Sequence, residues 1–129
     1  MLMTRQLLPG MLHRRRGHFV YISSLAGKVP SPRVTIYSAA KVGLRDFCGS
    51  LPQDLHGSGV SASVVFPGTM TDAGLLADAR LPSTPSTKGT SCAFVARRVI
   101  DSIEQSLGEV DAAELPVRMM ARFAAWCQD

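Results

Sequence analysis

Tyr37 and Lys41 are the two residues of this chain whose types and spacing best suit chemistry. They lie four positions apart in the stretch YSAAK, so on a helix their side chains would project from the same face. A neighbouring ammonium group favours the phenolate form of a tyrosine, which a general acid or base requires. The alternative is that Lys41 lays its aliphatic stem over apolar surface and extends its charge into water.

A second reactive group is expected at the end of the preceding apolar run. Residues 18–23 read HFVYIS, a pattern that predicts a strand buried on both faces of a parallel sheet. Ser23 and Ser24 end this strand, and a hydroxyl group there could hold a substrate carbonyl beside the phenol of Tyr37.

A helix and a second strand follow the two serines. Over residues 36–56, apolar side chains recur at steps of three and four and form one helical stripe, which extends back to Lys41 and Tyr37. The stripe consists of Leu44, Phe47, Cys48, Leu51 and Leu55. GSG at 57–59 ends the helix, and VSASVVF at 60–66 predicts a second strand. Residues 18–68 therefore form a predicted βαβ unit with parallel strands.

This topology predicts where a site would lie. In an open parallel sheet, the binding crevice lies beyond the carboxyl ends of the strands. Ser24 follows the first strand, Pro67 and Gly68 end the second strand, and Tyr37 opens the helix between them. All of these residues should therefore meet at one edge of the sheet.

The flanking segments complete one predicted domain over residues 1–129. Residues 1–16 predict a helix that Pro9 and Gly10 interrupt. Residues 69–87 predict a long loop or substrate lid, with a short helix at 73–79 as an alternative. Residues 88–129 predict a C-terminal helical region with a short strand near Glu109. Its first helix, at 88–107, is predicted to bury Phe94, Val95, Val99, Ile100 and Ile103.

Composition argues against several classes of protein. With 46% hydrophobic and 19% charged residues, the chain suits a soluble globular domain rather than a disordered one. The arginines at 14–16 have no interleaved aromatic residues, so nucleic-acid binding is not predicted. The three cysteines are too widely spaced for a disulfide framework or a zinc site, which favours the cytoplasm and no metal. No signal peptide or membrane span is predicted.

Together these residues resemble the short-chain dehydrogenase/reductase family. Three of its motifs occur here in order: ISS at 22–24, YSAAK as the family's YxxxK, and Pro67-Gly68 after the next strand. The resemblance covers most of residues 1–110. It implies the C-terminal half of an α/β, Rossmann-like, doubly wound parallel sheet. It also implies an oxidoreductase that transfers a hydride between NAD or NADP and a secondary alcohol or ketone.

The resemblance implies roles for individual residues. Tyr37 would exchange a proton with the substrate oxygen, while Lys41 would hold the nicotinamide ribose and stabilise the phenolate. Ser24 would orient and polarise the substrate carbonyl. Ser23 takes that role instead if the strand register differs by one residue.

The cofactor would also contact the segment after the second strand. By family analogy, Pro67, Gly68 and the backbone at Met70 would lie near the nicotinamide, with Thr71 contributing a hydroxyl. Thr71 stands one position before the family's usual threonine, and this chain has Asp72 at that place. Several leucines in the lid favour an apolar alcohol or carbonyl substrate, or equally a lid that packs on its own core.

Two family features are not found in the sequence. They are the glycine-rich turn that binds the dinucleotide pyrophosphate and the asparagine of the catalytic set. We therefore expect a chain that lacks the N-terminal nucleotide-binding half. The alternative to an enzyme is an inactive, truncated member that serves as a dimerisation or interaction module. An unpaired strand edge and uncovered apolar helices would favour homo-oligomers.

Overall fold

A computed structural model of the chain describes residues 1–30, 34–70, 72, 89–114 and 118–119. A strand, a helix and a second strand occur where the sequence predicts them, and a short strand begins at Glu109. In chain order the elements are helix α1 (Leu2–His13), strand β1 (Gly17–Ile22), a 3-10 turn (Leu25–Gly27), helix α2 (Thr35–Asp54), strand β2 (Val60–Pro67), helix α3 (Cys92–Glu104) and strand β3 (Glu109–Ala112).

The strands form one parallel sheet in the order β1-β2-β3. β1 is paired along its whole length, up to Ile22 opposite Val65. β2 continues two residues further, to Pro67 opposite Ala112 of β3. The carboxyl ends of the strands therefore meet at one edge. This arrangement confirms the predicted α/β class with a partial, Rossmann-like parallel sheet.

Helices cover both faces of this sheet. On one face, α1 and α2 pack over a core whose buried members are Phe19, Cys48, Leu51, Leu55, Val60, Ala62, Val64 and Phe66. On the other face, α3 packs over a smaller core formed by Val65, Val95, Val110 and Ala112. Because β2 is the central strand and has helices on both sides, nearly all of its residues are buried.

Helix α2 ends where glycines allow the chain to reverse. Pro52 lies inside the helix without ending it, although it supplies no backbone N–H to the helical ladder. Gly57 and Gly59 then adopt φ values of 72° and 79°, in the left-handed region that glycine tolerates best. A Cβ on Gly59 would also collide with the carbonyl oxygen of Arg15. Only glycine therefore fits where this loop passes the start of β1.

Strand β1 departs from the prediction of burial on both faces. Phe19 is its one buried residue, whereas Ile22 is 45% exposed. Among the described residues β1 pairs with β2 alone, and α1 contributes Leu8 and Met11 to the core beside it. Its side chains are therefore packed from fewer directions than those of the central strand.

The predicted inward face of α3 is wrong for three of its five residues. Val95 is buried and Val99 packs beside it. Ser102 completes the buried face, and its hydroxyl donates a hydrogen bond to the Val99 carbonyl at 2.7 Å. Apolar residues occupy more than one side of this helix, so their spacing does not determine which side is buried. Phe94, Ile100 and Ile103, which are predicted to face inward, are exposed instead.

The helix boundaries also differ from the predictions. α1 ends at His13 and not at residue 16, and α3 begins at Cys92 and not at residue 88. The predicted lid and its optional helix at 73–79 lie largely outside the described residues, as do Thr71 and most of 115–129. Within the described ranges, no helix is long and apolar enough to cross a lipid bilayer.

His18 is linked to the loop between α3 and β3 through the hydroxyl group of Ser63. Its Nδ1 and Nε2 atoms lie 2.7 Å from the hydroxyls of Ser61 and Ser63 respectively. Since Ser63 donates its one hydroxyl proton to the Leu107 carbonyl, it accepts from His18 Nε2–H. Nδ1 then accepts a hydrogen bond from the Ser61 hydroxyl. Burial lowers the pKa of His18 from its ordinary value of 6.5, because the imidazolium loses hydration.

This geometry predicts a loss of stability in mild acid. As the pH falls below 6.5, the unfolded chain takes up the His18 proton before the folded chain does. The free energy of unfolding should therefore decrease as the pH falls below 6.5, and level off below the folded pKa. Urea titrations across this range should show a flatter profile for His18→Gln. An equally steep profile in that variant would assign the effect to other groups.

Candidate active site

The two serines after β1 have different environments. The Ser23 N–H donates to the Val65 carbonyl at 2.8 Å, and its buried hydroxyl donates to the Lys41 carbonyl at 2.9 Å. Ser24 is half-buried, and its hydroxyl oxygen accepts a hydrogen bond from the Ala26 N–H at 3.2 Å. Ser23 thus ties β1 to α2. The Ser24 hydroxyl proton is not used in that contact, so it can be donated elsewhere.

A close backbone contact holds the 3-10 turn against α2. A Cβ built on Gly27 would lie 2.8 Å from Ser23 Oγ and 2.9 Å from the Lys41 carbonyl oxygen. A side chain at this position would therefore push the turn away from the helix that carries Tyr37 and Lys41. In the sequence, Gly27 indicates only a loop.

Tyr37 and Lys41 share the same face of α2, in its first two turns. Lys41 Nζ lies 5.5 Å from the centre of the Tyr37 ring and donates a hydrogen bond to the Ile22 carbonyl at 3.0 Å. Tyr37 itself is 44% exposed. The ammonium group is therefore held at the carboxyl end of β1, next to an accessible phenol. It does not simply extend into water.

The end of β2 lies at the same edge. Ser24 and Pro67 each stand two residues beyond the paired Ile22 and Val65. Gly68 N–H donates to the Ala112 carbonyl at 3.2 Å, and a Cβ on Gly68 would lie 3.0 Å from the side chain of Thr90. This crowding explains why glycine occupies the position.

Met70 and Asp72 follow β2 and contact the residues at the start of α3. Met70 forms a parallel bridge with Thr90, and both carboxylate oxygens of Asp72 lie 3.0 Å from the Cys92 N–H, at the start of α3. That hydrogen bond lowers the pKa of Asp72. Asp72, at the place where the family resemblance predicts a threonine, therefore caps a helix.

A network of charged side chains lies behind the 3-10 turn, on the α2 side of the sheet. Lys28 Nζ lies 2.7 Å from Asp111 Oδ1 and 3.3 Å from Glu109 Oε2. Arg45 Nε lies 2.7 Å from Glu109 Oε1. Burial acts to raise the pKa of Glu109, but its hydrogen bonds and the charges of Lys28 and Arg45 outweigh burial and lower it. The sequence does not predict this network, because its members are far apart along the chain.

Cys48 is not suited to nucleophilic chemistry. Its thiol is buried in the core beneath α2, and burial raises its pKa to about 11. A thiol with such a pKa carries almost no thiolate near neutral pH, and the thiolate is the nucleophile.

Comparisons with known proteins identify the family. A family model described as short chain dehydrogenase matches residues 1–81. Ketoacyl reductase HetN from Nostoc sp. is 39% identical over 116 residues, which cover 89% of this chain and 40% of that protein. NADP-dependent 3-hydroxy acid dehydrogenase YdfG from Escherichia coli is 42% identical over 66 residues, which cover 51% of this chain and 27% of that protein.

Solved structures share the fold. A short chain dehydrogenase from Burkholderia cenocepacia, in complex with NADP, superimposes with a TM-score of 0.79 over 98% of this chain and 49% of that chain. Its sequence identity is 18%, so this likeness shows the fold alone. The chain spans less than half the length of each of these relatives. The matched segment includes Ser24, Tyr37, Lys41 and Pro67-Gly68, and the chain belongs to the short chain dehydrogenase family.

Proposed function

We propose that this chain carries the proton-transfer groups of a NAD- or NADP-dependent oxidoreductase that interconverts a secondary alcohol and its ketone. One observation carries the proposal. The Lys41 ammonium group lies between the end of β1 and the exposed ring of Tyr37, next to the segment that carries Ser24. The proposed acid Tyr37, the cation Lys41 and the hydroxyl donor Ser24 would thus share the edge where parallel sheets bind ligands.

Each side chain has a separate task in ketone reduction. A bound nicotinamide cofactor would supply the hydride. Tyr37 donates its phenolic proton to the carbonyl oxygen as negative charge develops there. Ser24 donates a second hydrogen bond to the same oxygen, and its Ala26 contact leaves that proton available. Lys41 stabilises the phenolate that remains. In alcohol oxidation the same groups act in reverse.

The chain's own residues suit the nicotinamide end of the cofactor. Lys41 has three N–H donors and uses one on Ile22, so the others are available to ribose hydroxyls. Pro67, Gly68 and Met70 would line the nicotinamide side. On the basis of the sequence alone, Thr71 would contribute a hydroxyl group. No glycine-rich turn for the pyrophosphate occurs in the sequence, so the choice between NAD and NADP is left open.

The names of two relatives suggest which substrates to test first. One is a ketoacyl reductase and the other is a 3-hydroxy acid dehydrogenase. Both names describe an acyl or acid group with a keto or hydroxyl substituent. We therefore propose small 3-oxoacyl esters and 3-hydroxy acids as first substrates, with apolar chains preferred because of the leucines in the lid.

Paired serine variants of the full-length protein test this function. Ser24→Ala should lower kcat for ketone reduction by on the order of 10²-fold, because it removes a donor to the developing oxyanion. Its unfolding midpoint in urea should change little. Ser23→Ala should instead lower that midpoint, because it removes the bond between β1 and α2. If Ser24→Ala keeps normal turnover and Ser23→Ala loses it, the two roles are exchanged.

An interaction module remains the second candidate function. It is favoured by large apolar side chains that are exposed on α1 and α2, among them Leu2, Met3, Leu7 and Ile36. Such side chains favour association with another copy, so a homo-oligomer stays a prediction. The cytoplasmic location also stays a prediction from the cysteine spacing. Folded full-length protein that turns over no keto substrate with either cofactor would favour this second function.

A further inference from the structure

The acidic residues of β3 contact both segments that carry the proposed catalytic groups. Lys28 follows the 3-10 turn directly and pairs with Asp111 and Glu109, at 2.7 and 3.3 Å. The side chains of Lys28 and Asp111 are only 21% and 10% exposed. A pair that is mostly shielded from solvent fixes its partners more firmly than an exposed pair does. Lys28 Nζ also lies 4.1 Å from the centre of the Phe66 ring, on which it rests.

Arg45 makes the corresponding contact from helix α2. It lies one turn after Lys41, and it binds both carboxylate oxygens of Glu109, at 2.7 and 3.3 Å. Such a two-point contact restricts orientation as well as distance. The strand that carries Glu109 and Asp111 is therefore a common support for the turn after Ser24 and for the helix that carries Tyr37 and Lys41.

The turn is packed at its start and borders a cavity at its end. Leu25 packs against the core on the α2 side of the sheet, whereas a cavity of about 290 Å³ lies beside the residues that follow it. Its lining comes from residues 26–30 and from the α2 side chains of Ser38, Ala39, Val42 and Arg45. Besides the packing of Leu25, the turn is held by contacts at its two ends. These are the Ser23 and Gly27 contacts with Lys41, and the ion pairs of Lys28.

We infer that Lys28 is a positioning residue that holds Ser24 in register with Tyr37 through its ion pairs with Asp111 and Glu109. This inference rests on the proposed function, because it assigns Ser24 a substrate contact. Release of Lys28 would let the turn shift into the neighbouring cavity while Ser23 stays bonded to Lys41. The substrate carbonyl would then lose part of its alignment. A misplacement of about 1 Å can cost up to about 10²-fold in rate.

The test is Lys28→Met in the full-length protein. Methionine keeps an apolar stem over Phe66 and removes the charge. Asp111 keeps Arg118, at 3.7 Å, and Glu109 keeps Arg45, so no carboxylate is left without a cation and the variant should fold. We expect kcat to fall on the order of tenfold, with KM for the cofactor changed less than about twofold. Lys28→Arg, which can bridge the same acids, should restore kcat.

Amide hydrogen exchange gives a readout that does not need activity. In the parent, the turn is closed by hydrogen bonds from Gly27 N–H to Ser24 O and from Lys28 N–H to Leu25 O. In Lys28→Met these two amides should exchange at least about tenfold faster, whereas those of β2 should not. Arg98→Met is the matched control, since it removes a salt bridge to Asp101 on α3, at 3.0 Å. It should change neither the turn amides nor kcat.

The two readouts separate the inference from the proposed function. If the turn amides of Lys28→Met exchange at the parent rate, the inference is overturned whether or not the protein is active. Faster exchange with normal kcat also overturns it, because the turn would then move without consequence. If the parent reduces no substrate, the proposed function fails, and faster exchange still supports the anchoring of the turn by Lys28. A uniform increase across β2 would mean general destabilisation and would count against a positioning role.

Discussion

Tyr37→Phe should reduce ketone turnover in the full-length protein by about 10²- to 10⁴-fold, the usual cost of losing general acid catalysis. Phenylalanine keeps the ring beside Lys41 but removes the transferable proton. Tyr37 is 44% exposed, and within the described part of the chain it does not belong to either core cluster. Binding of the cofactor and the unfolding midpoint should therefore stay close to the parent values. The measurement is kcat by cofactor absorbance, with fluorescence titration for binding.

Tyr21→Phe is the matched control, since Tyr21 is the other of the chain's two tyrosines. Its ring packs against Phe19 and Phe47, and its hydroxyl hydrogen-bonds to Thr4 at 2.9 Å. Burial raises the pKa of Tyr21, so less of its phenolate is present near neutral pH. Tyr21→Phe should cost about 1 kcal/mol of stability and leave kcat intact. Near-normal turnover by Tyr37→Phe would remove Tyr37 from the mechanism.

The parts of the fold that the sequence predicts well are those set by local pattern. The apolar run at residues 18–23 and the three- and four-residue steps from Leu44 to Leu55 identify β1 and α2. Parallel pairing follows from the helix between the two strands, because a crossover connects parallel neighbours. Once the strands are parallel, their carboxyl ends must share an edge. For this reason Ser24, Tyr37 and Pro67 can be placed together without coordinates.

The parts that the sequence does not predict depend on contacts between distant residues. Adjacent serines have the same chemistry, and only the bond from Ser23 to the Lys41 carbonyl shows which one is structural. The Lys28–Asp111 pair joins residues 83 positions apart, so no spacing rule reveals it. The buried side of α3 is not predicted for the same reason. Val95 rather than Ile100 is buried because of where β3 and β2 lie, and a helix with apolar residues on several sides does not specify that.

Lys41→Met should lower activity in the full-length protein and move the remaining activity to higher pH. The variant keeps the stem and removes an ammonium group that lies 5.5 Å from the Tyr37 ring centre. Without that charge the phenolate is less favoured, so alcohol oxidation, which needs the phenolate as base, should require a higher pH. The affinity for cofactor should fall as well, because the ribose loses a charged donor. Rate profiles from pH 6 to 11 measure both effects.

The structural role of Lys41 has to be separated from the chemical one. Its Nζ also donates to the Ile22 carbonyl, and the loss of that bond alone would cost on the order of 1 kcal/mol of stability. Lys28→Met serves as the comparison, because it also removes a cation near the turn but leaves the charge beside Tyr37 in place. It should lower kcat at every pH without moving the optimum. The contrary outcome is a Lys41→Met variant that likewise lowers kcat without moving the pH optimum or changing the cofactor affinity. That result would show that Lys41 only supports the end of β1 and takes no part in the proposed proton transfer.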